Sequence, residues 1–193
     1  MVKVSLYVLD SGKYFEGVAK LVKAAERKNI VYVTTNKPYN FVMNAFKKKG
    51  INTDKIFFID CISSQAKEKA TYAKNCVFIN SPQNLTALSI AVSEAVKSIK
   101  GSKILFLDSL GVLLIYNDAN TVGKFSNFLL SKMRMNDVDA VMLALESDAE
   151  KDVVKQIESV VDEVKKSGNR RSNNSILPDN GKCINRHEMK GIF

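Results

Sequence analysis

The sequence predicts an α/β protein built on a doubly wound, mainly parallel β-sheet. Short apolar runs rich in Val, Ile and Phe alternate with longer amphipathic stretches as far as residue 164. Most of these runs are continuously apolar, which is typical of strands buried on both faces of a sheet. Regular alternation of strands and helices favours parallel strands with helices packed on both sides.

The apolar runs predict six strands in chain order. They are residues 4–9, 30–34, 56–59, 76–79, 104–107 and 138–145. We expect a short final strand at residues 160–165, after the last helix. Cysteines 61 and 76 fall at strand ends or in the core, where Cys behaves as a small apolar residue.

The segments between the strands predict helices, because their apolar residues recur at spacings of three and four. Pro38 suits the first turn of the second helix, and Gly50 suits the position after its end. The predicted helices are residues 14–28, 39–49, 82–100, 121–135 and 148–160. Their apolar faces are Val18, Leu21, Val22 and Ala25; Phe41, Val42, Ala45 and Phe46; Leu85, Leu88, Ile90, Ala91, Ala95 and Ile99; and Val122, Phe125, Phe128, Leu129 and Met133.

The chain of 193 residues is long enough for one domain with a full hydrophobic core, which we place at residues 1–168. Residues 169–193 are polar and basic turn-formers without apolar periodicity, so we expect a disordered tail there. No apolar run approaches the roughly 18 residues that span a bilayer, and we expect no membrane partner. The three cysteines, odd in number and widely spaced, suit a reducing cytoplasm. The only histidine, His187, lies in the tail, where we expect no catalytic or metal role.

The formal net charge of +9 raises the question of nucleic-acid binding. Residues 170–193 hold five basic and two acidic residues, a net +3, which leaves +6 spread over helices that also carry acids. The one tight cluster, Lys47, Lys48 and Lys49, sits at a predicted helix C-terminus, where cations complement the helix dipole. Any nucleic-acid binding is therefore expected to be weak.

An apolar strand that ends in a carboxylate stands at residues 103–108, with Asp108 followed by Ser109. In P-loop ATPases such a strand carries the aspartate that orders Mg²⁺ beside the nucleotide phosphates. An Asp-Ser pair at a strand end can equally cap the following turn or helix by accepting backbone N–H bonds. The sequence leaves both interpretations open.

The first strand should then lead into a phosphate loop, Gly-x-x-x-x-Gly-Lys-[Ser/Thr]. It leads instead into Asp10, Ser11, Gly12, Lys13 and Tyr14, and the residue five before Gly12 is a tyrosine in mid-strand. The loop is too short for a phosphate cradle, Asp10 would repel phosphate, and Tyr14 replaces the small hydroxyl residue. Gly12 and Lys13 form either a weakened phosphate site or an ordinary helix start with an exposed lysine.

The order of these segments resembles the archaeal RecA/KaiC-like branch of the P-loop ATPases, in a divergent subgroup of unknown function with a degenerate Walker A motif. The resemblance covers roughly residues 3–165. It rests on IVYVTTNKP at residues 30–38, FKKKGINTDKIFFIDC at residues 46–61 and KILFLDSL at residues 103–110. It implies a three-layer α/β/α sandwich.

The resemblance also bears on catalysis. In active KaiC-like proteins the second strand is followed by glutamates, one of which activates the attacking water. Asn36 and Lys37 stand at those positions here, and neither accepts a proton from water at neutral pH. The resemblance therefore implies a vestigial nucleotide site at Gly12, Lys13 and Asp108, with no catalytic residue, no metal site and no required cofactor.

We therefore expect a catalytically inactive cytoplasmic domain with a regulatory or scaffolding role, which binds a protein partner or associates with itself. One alternative is a weak or partner-completed ATPase that uses Mg-ATP through Lys13 and Asp108. Another is a non-specific nucleic-acid binder that uses Lys47 to Lys49 and the basic tail. The apolar stretch Leu110–Tyr116 is either a core helix or an exposed contact surface.

Overall fold

The computed structural model describes residues 2–64, 73–149 and 151–167, so the predicted tail lies outside the described residues. Within them a seven-stranded sheet forms the centre, and every neighbouring pair of strands is parallel. The strands are β1 (Val4–Leu9), β2 (Asn29–Thr34), β3 (Ile56–Asp60), β4 (Cys76–Phe78), β5 (Lys103–Asp108), β6 (Asp139–Leu145) and β7 (Glu163–Ser167). Their order across the sheet is β4-β3-β2-β5-β6-β1-β7, which confirms the predicted doubly wound architecture.

Helices pack on both faces of the sheet and complete a three-layer sandwich. They are α1 (Tyr14–Ala24), α2 (Tyr39–Lys48), α3 (Leu85–Ser98), α4 (Leu110–Tyr116), α5 (Ala119–Met135) and α6 (Asp152–Glu158). The first two cover one face, where Val22 and Phe46 pack against Tyr32. The other four cover the opposite face, where Leu88 and Leu129 pack against Leu105. Two short 3₁₀ turns, Ser11–Lys13 and Glu146–Asp148, precede α1 and α6.

The end of α2 follows the predicted chemistry. Gly50 adopts a positive φ of 68°, a conformation that glycine reaches without steric strain. The amide of Ile51 then donates to the carbonyl of Phe46, 3.1 Å away, which satisfies an orphan carbonyl of the last turn.

The last strand begins three residues later than predicted. Val160 and Val161, the first two residues of the predicted segment, pack against the core in the connection after α6. Strand β7 is an edge strand that pairs with β1 alone among the described strands, and its lysines are exposed. A solvated edge strand gives no apolar run, so hydropathy does not locate it.

Three apolar side chains predicted on buried helix faces are largely exposed. Phe41, Ile90 and Phe128 keep 53%, 54% and 53% of their surface accessible. Each lies at the margin of the apolar stripe of its helix, beside residues that are fully buried. The sequence pattern identifies the stripe but not its width.

The stretch Leu110–Tyr116 combines both predicted interpretations. It forms helix α4, in which Leu110 and Leu113 are fully buried. Its C-terminal end exposes Ile115 to 76% and Tyr116 to 37%.

In the part of the chain that the structure describes, no helix has the length and apolarity that crossing a membrane requires.

Candidate functional site

The candidate site lies at the carboxyl edge of the sheet, where β1, β2 and β5 end. Open α/β sheets bind their ligands at this edge. Asp108 is the last residue of β5 and is paired in register with Thr34 at the end of β2. Its carboxylate is almost completely buried, with 4% of the residue exposed.

Two tyrosine hydroxyls satisfy the Asp108 carboxylate. The hydroxyl of Tyr14 donates to Oδ1 at 2.6 Å, and that of Tyr32 donates to Oδ2 at 2.5 Å. Tyr32 faces Phe106 across the β2–β5 pair, and Asp108 follows Phe106 by two residues, so all three project to one face of the sheet. Tyr14 is the first residue of α1, the helix that covers this face.

Burial and charge set the protonation states in this cluster. Burial raises the pKa of Asp108, while the hydroxyl bonds from Tyr14 and Tyr32 and the charge of Lys37 oppose the rise. Burial and the neighbouring Asp108 charge raise the pKa of both tyrosines well above their usual range. The tyrosines therefore remain protonated and act as donors at neutral pH.

Of the two interpretations that the sequence left open for Asp108, the capping of the following helix is wrong. Helix α4 starts after Ser109 without a side-chain cap, and the Asp108 carboxylate accepts hydroxyl rather than backbone donors. The reason is geometric, because the Asp108 side chain points to the face covered by α1 and α2, whereas α4 packs on the opposite face. Its main chain is held by Thr35, whose amide donates to the Asp108 carbonyl at 2.8 Å, and the Asp108–Ser109 peptide is cis.

The segment in the place of the phosphate loop is a single tight turn. Strand β1 ends at Leu9, and Ser11–Lys13 form the 3₁₀ turn that leads directly into α1. The Asp10 carboxylate accepts the amide of Lys13 at 3.1 Å and so caps this turn. Gly12 and Lys13 are exposed, and the described residues show no hydrogen bond or ion pair between Lys13 and Asp108.

Lys37 lies between two aromatic rings close to the cluster. Its ammonium is 4.7 Å from the centre of the Phe15 ring and 4.8 Å from that of Phe41, within cation–π range. Phe15 in turn stacks on Phe46, which makes an edge contact with Tyr32. These ring contacts connect Lys37 to Tyr32 of the cluster, while Asn36 is exposed.

Asp60 is a buried carboxylate that the sequence analysis did not single out. It ends β3, is fully buried, and accepts the amides of Tyr39, Ile62 and Ser63 at 2.6, 2.7 and 2.9 Å. The Ser63 hydroxyl donates to it as well, at 2.6 Å. The signal was present, because the run IFFID ends in a carboxylate as KILFLD does. Asp60 holds the start of α2, the kind of backbone role expected of Asp108.

A third buried carboxylate, Asp148, closes the second 3₁₀ turn after β6. Its Oδ1 forms an ion pair of 2.6 Å with Lys151, and its Oδ2 is buried without a hydrogen-bond partner among the described residues. Its charge contributes to the raised pKa of Tyr14, which places it near the cluster. Gly111 of α4 packs against it so closely that an added Cβ would lie 2.0 Å from Oδ2.

Among the described residues, no group of three or more His, Cys, Asp or Glu side chains is arranged to hold a metal ion.

The fold is similar to that of a solved KaiC-like protein. The crystal structure of that protein, from the hyperthermophilic archaeon Pyrococcus horikoshii OT3, resembles this chain with a TM-score of 0.53 at 15% identity, over 74% of this chain and 61% of that protein. This chain thus corresponds to less than two thirds of that protein's length, and at this identity the likeness concerns the fold alone. Residues 17–164 match the model of a family of unknown function, DUF7504, and the chain belongs to that family. No curated protein matches the sequence.

Proposed function

We propose that the protein is a catalytically inactive RecA/KaiC-like domain with a regulatory or scaffolding role, exerted by binding a protein partner or a second copy of itself. The observation that carries this proposal is the pairing of both Asp108 oxygens with the hydroxyls of Tyr14 and Tyr32. In an active P-loop ATPase the corresponding carboxylate orders the nucleotide-bound Mg²⁺.

The cluster does not fit a magnesium ion. Mg²⁺ demands near-octahedral oxygen ligands and keeps several of its waters, so it needs space beside the carboxylate. Tyr14 stands where a small hydroxyl residue would face the metal, and its own hydroxyl occupies Oδ1 of Asp108. A metal ion would have to displace the Tyr14 hydroxyl from Asp108. Losing a hydrogen bond to a charged group costs about 1.5–3 kcal/mol of stability.

The neighbouring turn does not fit a nucleotide phosphate either. A phosphate cradle presents several free backbone amides, whereas the amide of Lys13 is already bonded to Asp10. The negative charge of Asp10 lies at the same place. Asn36 and Lys37 offer no carboxylate to activate water, so we derive no step through a nucleotide.

Surface features support a role in binding. The helix that follows Asp108 ends in the exposed apolar residues Ile115 and Tyr116, the kind of surface that marks contact sites when it faces a partner.

Cys61 and Cys76 are free thiols, and burial raises the pKa of each to about 12. Such thiols are inert, and we propose the reducing cytoplasm as the compartment in which the protein works.

Phosphate release from Mg-ATP by the purified chain tests the absence of catalysis. We expect the same trace rate for the wild type, Lys13→Ala and Asp108→Asn, since a rate shared by all three comes from a contaminant. A rate that both substitutions abolish would contradict the proposal. Sedimentation of the wild type and Ile115→Asp over a range of concentrations tests self-association through α4.

A further inference from the structure

A groove of about 480 Å³ runs between α1 and the residues that follow α2. Ala24 provides exposed apolar surface, whereas Ile51 also lines the groove but is only 4% exposed, and Lys20, Lys23 and Lys49 line its sides. Its volume lies in the range of pockets that bind ligands or peptide side chains. None of its lining residues belongs to the Asp108 cluster.

The charge of the groove is positive. Its one lining acid, Glu16, forms an ion pair of 2.9 Å with Lys20, and this bond together with the charges of Lys49 and Lys13 lowers the pKa of Glu16. The ammonium of Lys23 donates to the carbonyl of Gly50 and lies 3.8 Å from Glu26, which is outside the groove. Lys49 makes no ion pair within the described part of the chain, and Lys47 and Lys48 stand exposed beside it. Three lysines and one glutamate therefore line the groove, and the ion pair between Lys20 and Glu16 is an example of a carboxylate bound there.

We propose that this groove binds an acidic amphipathic segment of a partner protein. Apolar side chains of the segment contact the exposed Ala24, and its carboxylates meet Lys49 and the lysines of α1. The inference rests on the proposed protein-binding role and names the chemistry of the partner. Nucleic acid fits less well, because no aromatic residue lines the groove for base stacking and Glu16 would repel phosphate.

Fluorescence anisotropy with the full chain tests this inference. The probe is a labelled amphipathic helical peptide of Leu, Ala and Glu, and the matched peptide carries Lys in place of Glu. We expect the acidic peptide alone to bind, and salt to weaken it. Lys49→Glu should reduce the affinity about tenfold, because it reverses an unpaired charge at the contact. The matched control is Lys124→Glu, an exposed mid-helix lysine of α5 on the opposite face, which should leave the affinity unchanged.

A further variant separates the contribution of the groove's shape to the affinity from the contribution of its charge. Ala24→Lys adds a positive charge but fills the groove, so we expect weaker binding. Equal or tighter binding would show that charge alone attracts the peptide, and would contradict the assignment of the groove as its binding site. The inference also fails if the acidic peptide does not bind, if Lys49→Glu and Lys124→Glu act alike, or if an oligonucleotide of equal charge displaces the peptide fully. These outcomes are independent of Mg-ATP binding at Asp108, which tests the proposed loss of nucleotide chemistry.

Discussion

The hydroxyl of Tyr14, at the start of α1, lies 2.6 Å from Oδ1 of Asp108, at the end of β5. Tyr32 completes the arrangement from β2, so the carboxylate is fixed by two strands and a helix. A buried carboxylate without partners is strongly unfavourable, and two hydroxyl donors satisfy it without a metal. This relationship gives the carboxylate at the end of β5 a structural role in this chain.

We predict that Tyr14→Phe and Tyr32→Phe each lower the free energy of unfolding by about 1.5–3 kcal/mol, because each removes a hydrogen bond to a buried charge. Urea unfolding at neutral pH measures the loss. Tyr116→Phe is the control, since this exposed tyrosine should change stability by less than about 0.5 kcal/mol. Equal effects at all three positions would show that the cluster has no special role.

The second prediction concerns pH. Burial raises the pKa of Asp108 in the folded state, so this group stabilises the fold fully below its ordinary pKa of about 4 and loses that contribution as pH rises through the raised value. Asp108→Asn lacks this titration. The stability of Asp108→Asn relative to the wild type should therefore increase as pH rises above about 4, and level off once Asp108 is ionised in the folded protein. A difference that stays constant with pH, or that falls, would contradict the raised pKa.

Asp60 should be the more sensitive carboxylate. Asp60→Ala removes the acceptor for three backbone amides, and leaving buried amides unpaired costs about 1–3 kcal/mol each, so we expect a loss above about 3 kcal/mol. Asp60→Asn retains an acceptor and should lose less. Ser63→Ala, which removes one hydrogen bond to the buried Asp60, should cost about 1.5–3 kcal/mol. Chemical denaturation of the three variants gives this order directly, and an Asp60→Ala protein as stable as Ser63→Ala would refute it.

Two helical glycines provide a matched comparison. Gly111→Ala places a Cβ 2.0 Å from the buried Oδ2 of Asp148, and we expect overpacking to cost about 1–3 kcal/mol. Gly123→Ala meets Oε1 of Gln156 at 2.9 Å, the end of a flexible side chain that can move. The gain of up to about 1 kcal/mol in helix propensity should then make Gly123→Ala neutral or stabilising. Thermal unfolding measures both, and adding Asp148→Ala should rescue Gly111→Ala if the clash is the cause.

The sheet could be predicted from sequence because its central strands are buried on both faces and therefore read as apolar runs. Strand β7 does not form such a run, because it lies at the edge of the sheet and its Lys165 and Lys166 are exposed. Asp108 could be singled out as a carboxylate that ends such a run. Its partners could not, since Tyr14 and Tyr32 lie 94 and 76 residues away in the chain. The strand order, which sets β2 beside β5, brings Tyr32 to Asp108, and the packing of α1 on that face of the sheet brings Tyr14 there.

Isothermal titration of the full chain with Mg-ATP tests the central claim most directly. If the hydroxyls of Tyr14 and Tyr32 occupy Asp108 in place of a metal, millimolar Mg-ATP gives no binding heat, and Lys13→Ala and Asp108→Asn titrate like the wild type. A ligand at a hundred times its Kd would also stabilise the fold by about 2.7 kcal/mol, which a melting curve in the same buffer would reveal. Saturable binding of Mg-ATP to the wild type that Lys13→Ala and Asp108→Asn both lose would contradict the account and show a working nucleotide site.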